Sequence, residues 1–259
     1  MRIARVALAD GSIAYGQALE EYFLPWPDSP FAQPLDLLMQ QAGAPVAWSA
    51  VRLLAPCTPS KIVCIGRNYV EHAAEHGVDV PAEPLIFLKP SSAVIGPDEA
   101  IELTPLSSRV EHEGELVVVI GSLLRHASEE TALQAVLGYT CGNDVTARDL
   151  QRRDGQWSRA KGFDTFCPLG PWIETDLDWS DQQVQCRVNG VLRQSASTEL
   201  MVFGVPHLLR VISAVMTLNP GDVVMTGTPS GVGPLQAGDR VTVRISGIGE
   251  MGNRVSSNQ

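Results

Sequence analysis

The order of hydrophobic and polar residues along the chain predicts a protein built mainly from strands. Residues 116–120 form an uninterrupted, β-branched apolar run, which is typical of a strand buried on both faces. Residues 183–193 alternate around Asn189 and Gly190, a pair that strongly predicts a β-hairpin. Further strands are expected at residues 223–226 and 240–245, and helices at residues 128–135 and 204–216. Because strands and helices do not alternate regularly, we expect a mainly β (α+β) fold, and neither a doubly wound sheet nor a TIM barrel.

The pattern also divides the chain into a short first part and a longer second part. Residues 1–55 contain two strand-like segments around a turn at Asp10 and Gly11, then a proline-rich connection and one short helix. A Pro-Cys-Thr-Pro sequence follows at residues 56–59 and reads as a linker. We therefore expect a small N-terminal α+β domain at residues 1–55 and a catalytic domain at residues 56–259.

Composition and charge exclude several classes of partner. The chain has 259 residues, of which 44% are hydrophobic, and a formal net charge of -10, so nucleic acid and anionic membranes are not expected partners. No apolar stretch approaches the ~18 residues of a membrane span, and the first residues lack the pattern of a signal peptide. The five cysteines are widely spaced and include no C-x-x-C pair, which is typical of a reducing compartment. We expect a cytoplasmic protein.

Three carboxylates precede the apolar run. In a single extended strand, Glu111, Glu113 and Glu115 would point to one face, with His112 and Gly114 on the other. Such carboxylates cannot all be ionised cheaply without a cation between them. Their hard oxygen atoms suit Mg²⁺, Mn²⁺ or Ca²⁺ better than zinc. The alternative is an exposed acidic strand face, and the spacing alone leaves both interpretations open.

A second polar segment follows the next strand-like run. Asp144 either caps a helix or supplies a third carboxylate to a metal. On a helix that begins at Val145, Arg148 and Gln151 would share a face. An arginine there suits a substrate carboxylate, which it can hold in a bidentate manner.

A histidine and a glutamate three residues apart form a candidate general base. His72 and Glu75 would lie on one face of a short helix, where the carboxylate raises the basicity of the imidazole. A surface ion pair is the alternative, and His76 is a rival base one step round the helix. Two lysines, Lys89 and Lys161, stand where a cation either meets an anionic substrate or is simply solvated.

Two glycine-rich segments near the end of the chain lead to different interpretations. Residues 226–233 resemble an anion-binding loop without the Walker lysine, and the backbone amides and Thr228 could hold a carboxylate. The spacing of Gly247, Gly249 and Gly252 matches a dinucleotide fingerprint, but no βαβ unit surrounds it, so we interpret it as a turn.

Taken together, the ordered motifs over about residues 60–255 resemble the fumarylacetoacetate hydrolase family. The matching pieces are Gly66-Arg67-Asn68-Tyr69 with His72 and Glu75, Phe87-Leu88-Lys89-Pro90, Glu113-x-Glu115-Leu116, Asp144-Val145-Thr146-Ala147-Arg148-Asp149, Ala160-Lys161, Val188-Asn189-Gly190 and Thr226-Gly227-Thr228-Pro229. The first 50 residues look like the family's small N-terminal region. The resemblance implies a mixed β-sandwich roll, and usually a homodimer.

The resemblance also implies roles for the candidate residues. Mg²⁺ or Mn²⁺ would be held by Glu113, Glu115 and Asp144, which leaves Glu111 outside the ligand set. A dyad on a lid would activate water, and polar side chains would grip the oxo and carboxylate oxygens of a small anionic 2-oxo acid. The dyad is His72 and Glu75; the catalytic cation is Lys161; the substrate-binding residues are Arg148, Gln151, Lys89 and Thr228.

One departure from the pattern narrows the expected activity. Ile65 stands where the eponymous hydrolase has a further aspartate ligand, and the local His72–Glu75 pair resembles smaller members of the family. These are acylpyruvate hydrolases, oxaloacetate decarboxylases and isomerase/decarboxylases of aromatic catabolism. We therefore expect cleavage of a C–C bond in a 2-oxo or diketo acid through a metal-stabilised enolate. The alternative is a 2-hydroxyhepta-2,4-diene-1,7-dioate isomerase or 5-oxopent-3-ene-1,2,5-tricarboxylate decarboxylase; a non-catalytic binding protein is a third hypothesis.

Overall fold

The computed structural model describes residues 1–75 and 77–257, so the rival base His76 lies outside the described residues. The strands are β1 (Arg2–Ala7), β2 (Ile13–Ala18), β3 (Tyr22–Pro25), β4 (Val46–Ala47), β5 (Arg52–Leu53), β6 (Ile62–Gly66), β7 (Leu85–Lys89), β8 (Val94–Ile95), β9 (Ala100–Leu103), β10 (Val110–His112), β11 (Gly114–Ile120), β12 (Val136–Asn143), β13 (Thr146–Ala147), β14 (Cys167–Glu174), β15 (Gln183–Val188), β16 (Val191–Ser197), β17 (Val223–Met225), β18 (Gly233–Pro234), β19 (Arg240–Ile245) and β20 (Gly249–Ser257).

Helices are short and lie between the strands. They are α1 (Leu35–Gln40), α2 (Val70–Glu75), α3 (Glu129–Gln134), α4 (Arg148–Asp154), α5 (Ser158–Lys161) and α6 (Val205–Val215), with single 3₁₀ turns at Trp48–Ala50, Ser91–Ala93, Trp179–Asp181 and Thr198–Leu200. Ser128 caps α3 by accepting a hydrogen bond from the Thr131 N–H at 3.2 Å. In the described residues, no helix is long and apolar enough to cross a membrane. The predicted mainly β fold is confirmed.

A large mixed sheet forms the centre of the molecule. Its strands run in the order β4-β3-β2-β1-β14-β12-β11-β17-β6-β7. Strand β11 has β12 and β17 as antiparallel neighbours, and all of its residues are buried, as the apolar run predicts. The N-terminal part joins this sheet through β1, which pairs with β14, and Ile3 shares a hydrophobic cluster with Leu169.

A second sheet packs against the first to form a sandwich. Its order is β16-β15-β19-β20-β9, and its inward side chains Val184 and Val243 share one hydrophobic cluster with Leu116. The predicted hairpin joins β15 to β16, with Asn189 and Gly190 at φ 51° and 79°, as a type I′ turn requires. The Gly247–Gly252 motif lies at the hairpin between β19 and β20, which agrees with its interpretation as a turn.

One parallel pair positions the candidate chemistry. Strands β6 and β17 run side by side, with Val224 opposite Val63. After their carboxyl ends the chain continues into residues 67–69 and residues 226–233, so the loops that follow both strands meet at the same edge of the sheet. A small sheet of order β13-β10-β18 lies next to this edge. The segments that hold the predicted polar residues therefore converge on one region.

Candidate metal and active site

The predicted acidic strand is interrupted at Glu113, between β10 and β11. The Glu113 N–H donates to the Asn143 side-chain oxygen at 2.9 Å, and the Asp144 N–H donates to the Glu113 carbonyl at 2.9 Å. These two bonds bring the end of β12 to the break. As a result, one carboxylate oxygen each from Glu113, Glu115 and Asp144 lie within 4.8 Å of one another. The expectation of one continuous strand over residues 111–115 was wrong.

This triad is buried, so the interpretation as an exposed acidic face is also wrong. Glu115 and Asp144 are each 1% exposed and Glu113 is 4% exposed. Buried carboxylates need positive partners. The Lys161 ammonium bridges Glu113 at 2.7 Å and Asp144 at 2.6 Å, and the Lys89 ammonium donates to the second oxygen of Asp144 at 2.6 Å.

Asp144 is held within this network and does not begin a helix. Helix α4 begins at Arg148, with Ala147 in the capping position, whereas the sequence placed the start at Val145. The two residues between, Thr146 and Ala147, pair with β10 as strand β13. That pairing turns Asp144 inward, because the chain must leave β12 and reach β10 before the helix can start.

Glu115 is the carboxylate of the triad that receives the least positive charge. In the described part of the chain its carboxylate accepts a hydrogen bond from the Gly227 N–H at 2.8 Å and forms no ion pair. Burial, together with the nearby Asp144 and Glu113, raises the pKa of Glu115 well above its ordinary value. Although burial opposes the change, Lys161 and Arg148 lower the pKa of Glu113. The donor set therefore fits a divalent cation, which prefers oxygen ligands and would hold Glu115 ionised.

Arg148 links the triad to the acidic residue outside it. Its guanidinium donates to Glu113, to Glu111 at 2.7 Å and to the Gln151 side-chain oxygen at 2.6 Å. Arg109 donates to the other oxygen of Glu111 at 2.5 Å. Although burial opposes it, these two arginines lower the pKa of Glu111. Glu111 is thus neutralised by side chains and does not belong to the group of potential metal ligands.

The His72–Glu75 pair lies at the end of α2, above the glycine-rich loop. His72 is buried, and its Nδ1 lies 3.4 Å from Glu75 Oε2. Glu75 also accepts from the Gly231 N–H at 3.2 Å, and burial raises its pKa. Candidate catalytic hydrogen bonds are often this long without substrate. The burial of His72 makes a simple surface ion pair the poorer description.

A cavity of about 400 Å³ brings most of the predicted residues together. Seven of them line it: His72, Glu113, Glu115, Arg148, Gln151, Lys161 and Thr228. Lys89 is not among the lining residues; it is buried and donates to Asp144 and to the Val145 carbonyl at 3.1 Å. These contacts favour a role for Lys89 in holding Asp144, and direct contact with substrate stays a prediction. Ile65, the departure from the family pattern, lies in the wall.

Several residues at the site received no role from the sequence. Arg67, Arg152, Phe87 and Trp157 line the cavity. Arg152 follows Arg148 by four residues, so the helical spacing that connected Arg148 with Gln151 could have indicated it as well. Arg67 and Phe87 lie in two of the motifs that match the family pattern but received no role there, and Trp157 had no local signal, because its position depends on packing against other segments.

Gln194 is buried on the far side of β10 and β11, where its side chain forms hydrogen bonds to several segments of the chain. Its Oε1 accepts from the Gly114 N–H at 3.0 Å, and its Nε2 donates to Thr228 Oγ1 at 2.7 Å and to the Pro229 carbonyl at 2.8 Å. Thr228 Oγ1 in turn donates to the Gly114 carbonyl at 2.9 Å. Gln194 thereby ties the second sheet to both the acidic strand and the glycine-rich loop. Nothing in its local sequence indicates this role, because its partners come from other elements.

Comparison with known families accounts for nearly the whole chain. The family described as "Fumarylacetoacetate (FAA) hydrolase C-terminal" matches residues 61–256, and the one described as "Rv2993c-like, N-terminal" matches residues 1–56. The N-terminal match ends at the first residue of the predicted linker at residues 56–59, and the other match begins just after that linker.

Similar proteins of known name include a tautomerase and two isomerases. The mitochondrial oxaloacetate tautomerase FAHD2B of Homo sapiens is 45% identical, over 80% of this chain and 70% of its own. A crystal structure of 5-carboxymethyl-2-hydroxymuconate delta-isomerase from Mycobacterium smegmatis is 45% identical and covers both chains fully, with a TM-score of 0.90. The 2-hydroxyhepta-2,4-diene-1,7-dioate isomerase from Mycobacterium marinum is 44% identical, over 100% of this chain and 99% of its own, with a TM-score of 0.89.

Proposed function

The chain belongs to the fumarylacetoacetate hydrolase family, and we propose that it is a divalent-metal-dependent enzyme that transfers a proton on a small 2-oxo acid through its enolate, as a tautomerase or isomerase. One observation carries the proposal: Glu113 and Glu115, two of three clustered buried carboxylates, line one cavity together with His72 and Lys161. The sequence favoured C–C cleavage first. The names of three relatives at 44–45% identity support placing proton transfer ahead of it.

Glu113, Glu115 and Asp144 would hold Mg²⁺ or Mn²⁺. When bound there, such an ion supplies Lewis-acid polarisation of the 2-oxo and carboxylate oxygens. The remaining roles fall to the chain. Lys161 compensates the negative charge that develops on the oxo oxygen. Gln151 orients the carboxylate end of the substrate, together with Arg148, which forms the wall beside Glu113. Thr228 lines the same cavity, with its hydroxyl already donated to the Gly114 carbonyl, and its contact with substrate stays a prediction.

His72 is assigned as the group that moves the proton. Because Glu75 contacts Nδ1, we assign Nε2 as the nitrogen that takes the proton from carbon and returns it to another position. The bond from Glu75 fixes the ring orientation and stabilises the imidazolium that forms. The Gly231 N–H holds Glu75 in place, so the glycine-rich loop supports the base indirectly.

C–C cleavage is the second candidate, and the same dyad favours it. A His–carboxylate pair beside a metal site can deprotonate water for attack on the distal carbonyl of an acylpyruvate. In a decarboxylation of oxaloacetate, loss of CO₂ leaves the same enolate and needs no water. The two candidates therefore differ in which bond breaks, while the residues that stabilise the enolate are shared.

The test is a substrate panel assayed on purified protein with Mg²⁺ or Mn²⁺. The panel contains enol-oxaloacetate, 2-hydroxyhepta-2,4-diene-1,7-dioate and an acylpyruvate, with enol absorbance and the release of CO₂ or pyruvate followed in parallel. We expect enol decay or isomerisation to outpace release of a cleaved product. Faster release would establish the second candidate. Rates that survive a chelator, or that survive Glu113→Ala, would overturn the metal dependence.

A variant of the base separates the chemistry from binding. His72→Gln should lower kcat by about 10²–10⁴-fold while the Kd for Mn²⁺ stays within a few-fold of wild type. If kcat is unchanged, the base is assigned wrongly. Tight binding of metal and substrate with no turnover on any member of the panel would instead support the non-catalytic binding protein.

Three further expectations belong to this proposal. The homodimer rests on the resemblance and is tested by light scattering of the purified chain. The cytoplasmic location rests on the cysteine pattern; all five cysteines are free and buried. The domain boundary after residue 55 is tested by whether residues 56–259 fold alone. Their removal from residues 1–55 takes away β1, the antiparallel partner of β14, so the experiment shows whether β14 needs that partner.

A further inference from the structure

The cations around the cavity fall into two groups. Lys161 and Arg148 are engaged by carboxylates of the chain, as described above. Arg67 and Arg152 also line the cavity, but within residues 1–75 and 77–257 their side chains form no ion pair and no hydrogen bond. The chain therefore places two guanidinium groups on this cavity without supplying their anions. An anion from outside the chain is the natural partner for such groups.

The two arginines reach the cavity from separate elements. Arg152 lies four residues beyond Arg148 on α4, so its Cα is about 6 Å further along the helix axis than the arginine that touches the triad. Arg67 directly follows β6 and has φ 60°, a left-handed backbone conformation that is unfavourable for a residue with a Cβ. Strained residues of this kind cluster at functional sites.

An apolar wall is part of the same cavity. The rings of Phe87 and Trp157 meet edge to face with centroids 5.1 Å apart, and both line the cavity. A Cβ on Gly66 would lie 2.8 Å from the Trp157 ring, so only glycine allows this approach. The Phe87 and Trp157 rings therefore offer an apolar surface that suits the carbon chain of a substrate and does not suit its charged ends.

We propose that Arg152, with Arg67, binds a second carboxylate of the substrate, remote from the 2-oxo acid group, and so selects dicarboxylic over monocarboxylic 2-oxo acids. The inference rests on the proposed function in one respect, since it takes the 2-oxo acid end to be the end held at Glu113, Glu115 and Asp144. Arg152 is the specificity-determining residue, and Arg67 assists it from the segment that follows β6.

A matched pair of stable ligands tests the proposal by binding. 2-Oxopentanedioate and 2-oxopentanoate have the same chain length and the same 2-oxo acid end, and only the first has a distal carboxylate. Their Kd values are measured by calorimetry on Mg²⁺-loaded protein. We expect the diacid to bind about tenfold or more tightly than the monoacid, because a charge-assisted hydrogen bond contributes at least that factor. Equal affinities would overturn the proposal.

Two adjacent arginines on α4 provide the variant and its control. Arg152→Gln should weaken binding of the diacid by about tenfold or more and leave the monoacid unchanged. Arg153→Gln removes the same charge from the next residue, which lies 3.6 Å from Asp154 and is absent from the cavity lining, and it should change neither Kd. An equal loss in both variants, or an equal loss for both ligands, would contradict the assignment.

Failure of this inference can be distinguished from failure of the proposed function. If no member of the substrate panel is turned over but the diacid preference depends on Arg152, the enzyme assignment fails and the binding site stands. If proton transfer is observed and depends on His72, while Arg152→Gln and Arg67→Gln leave both Kd values unchanged, the second-carboxylate site is wrong and the enzyme assignment stands.

Discussion

The two ends of the β6–β17 parallel pair each hold a buried carboxylate, in opposite states. At the amino ends, Asp222 is 0% exposed and accepts hydrogen bonds from the Ser60 N–H at 2.9 Å, the Ser60 hydroxyl at 2.7 Å, the Lys61 N–H at 3.1 Å, the Asn219 N–H at 2.8 Å and the Lys61 ammonium. Although burial opposes it, hydrogen bonds from Lys61 and Ser60 lower the pKa of Asp222. The chain satisfies this carboxylate fully.

At the carboxyl ends, Glu115 receives the Gly227 N–H and, in the described residues, no cation of the chain within ion-pair distance. Its pKa is raised by burial and by two neighbouring carboxylates. A buried carboxylate with a full set of hydrogen-bond donors stabilises the fold. A buried carboxylate with few donors is unfavourable when ionised unless a ligand supplies positive charge. The difference teaches that the chain itself satisfies Asp222, whereas Glu115 is the carboxylate for which we propose a cation.

Removal of the satisfied carboxylate should have the largest effect. Asp222→Ala leaves several buried donors and the Lys61 ammonium without their acceptor, so the free energy of unfolding should fall by about 3 kcal/mol. Urea denaturation measures it. Asp176→Ala removes an exposed carboxylate that pairs with the N-terminus and should cost less than about 1 kcal/mol. If the free energy of unfolding falls no more in Asp222→Ala than in this control, the structural role of Asp222 is wrong.

Removal of the unsatisfied carboxylate should act in the opposite way. Glu115→Gln keeps an acceptor for Gly227 and removes a group whose ionisation burial disfavours, so the metal-free free energy of unfolding should stay within about 1 kcal/mol of wild type or rise. The affinity for Mn²⁺ should fall about 100-fold, because a ligand is lost. A metal-free protein destabilised by more than about 2 kcal/mol would mean that Glu115 already has its partners within the chain.

The two carboxylates should also give stability opposite dependences on pH. Asp222 has a lowered folded pKa, so its contribution is present above the ordinary pKa of about 3.9 and is lost as pH falls through the folded value. Glu115 has a raised folded pKa, so the metal-free protein loses up to about 1.4 kcal/mol per pH unit as pH rises above about 4.3, until the folded value is passed.

Melting curves of wild type and of each variant, measured across pH, isolate the contributions of Asp222 and Glu115 to stability. Asp222→Asn should flatten the acidic limb relative to wild type, and Glu115→Gln should flatten the limb at higher pH. Saturating Mg²⁺ should have the same effect as Glu115→Gln, since it holds the carboxylate ionised. If Mg²⁺ stabilises the protein equally at all pH values between 4 and 8, the raised pKa of Glu115 is not linked to metal binding.

The smallest effect is expected in the loop that follows β17. Thr228→Val keeps the shape of the side chain but leaves the Gly114 carbonyl without its donor, so the free energy of unfolding should fall by about 1 kcal/mol. The Kd for Mn²⁺ should change less than about threefold, because Thr228 touches no member of the triad through this bond. A loss of metal binding as large as in Glu115→Gln would show that the loop, and not the carboxylate, controls the site.

The local pattern was sufficient to predict much of the fold. The apolar run of β11 and the hairpin at Asn189 and Gly190 are written in adjacent residues, and the structure confirms both. The start of α4, however, was placed three residues early. The reason is that the pairing of β13 with β10, which delays the helix, joins segments about 37 residues apart and leaves no mark in the local sequence.

The candidate site shows the same limit more clearly. The spacing indicated Glu111, Glu113 and Glu115 together, and only the family resemblance selected Glu113, Glu115 and Asp144 as candidate ligands. The break at Glu113 depends on Asn143, which is 30 residues away. Apart from Asn219, the residues that donate to Asp222 are Ser60 and Lys61, more than 160 positions earlier, so nothing in the local pattern separates Asp222 from other acidic residues. Which buried carboxylate is satisfied depends on long-range contacts, and these appear only in the folded chain.

Titration of the metal-free protein with Mn²⁺ tests the central claim most directly. We expect wild type and Asp222→Asn to bind one ion per chain, and Glu115→Gln to bind about 100-fold more weakly. Calorimetry gives both the stoichiometry and the Kd. Saturable binding of equal strength in Glu115→Gln, or no saturable binding to wild type, would contradict the claim that the triad at the carboxyl ends of β6 and β17 is built for a divalent cation.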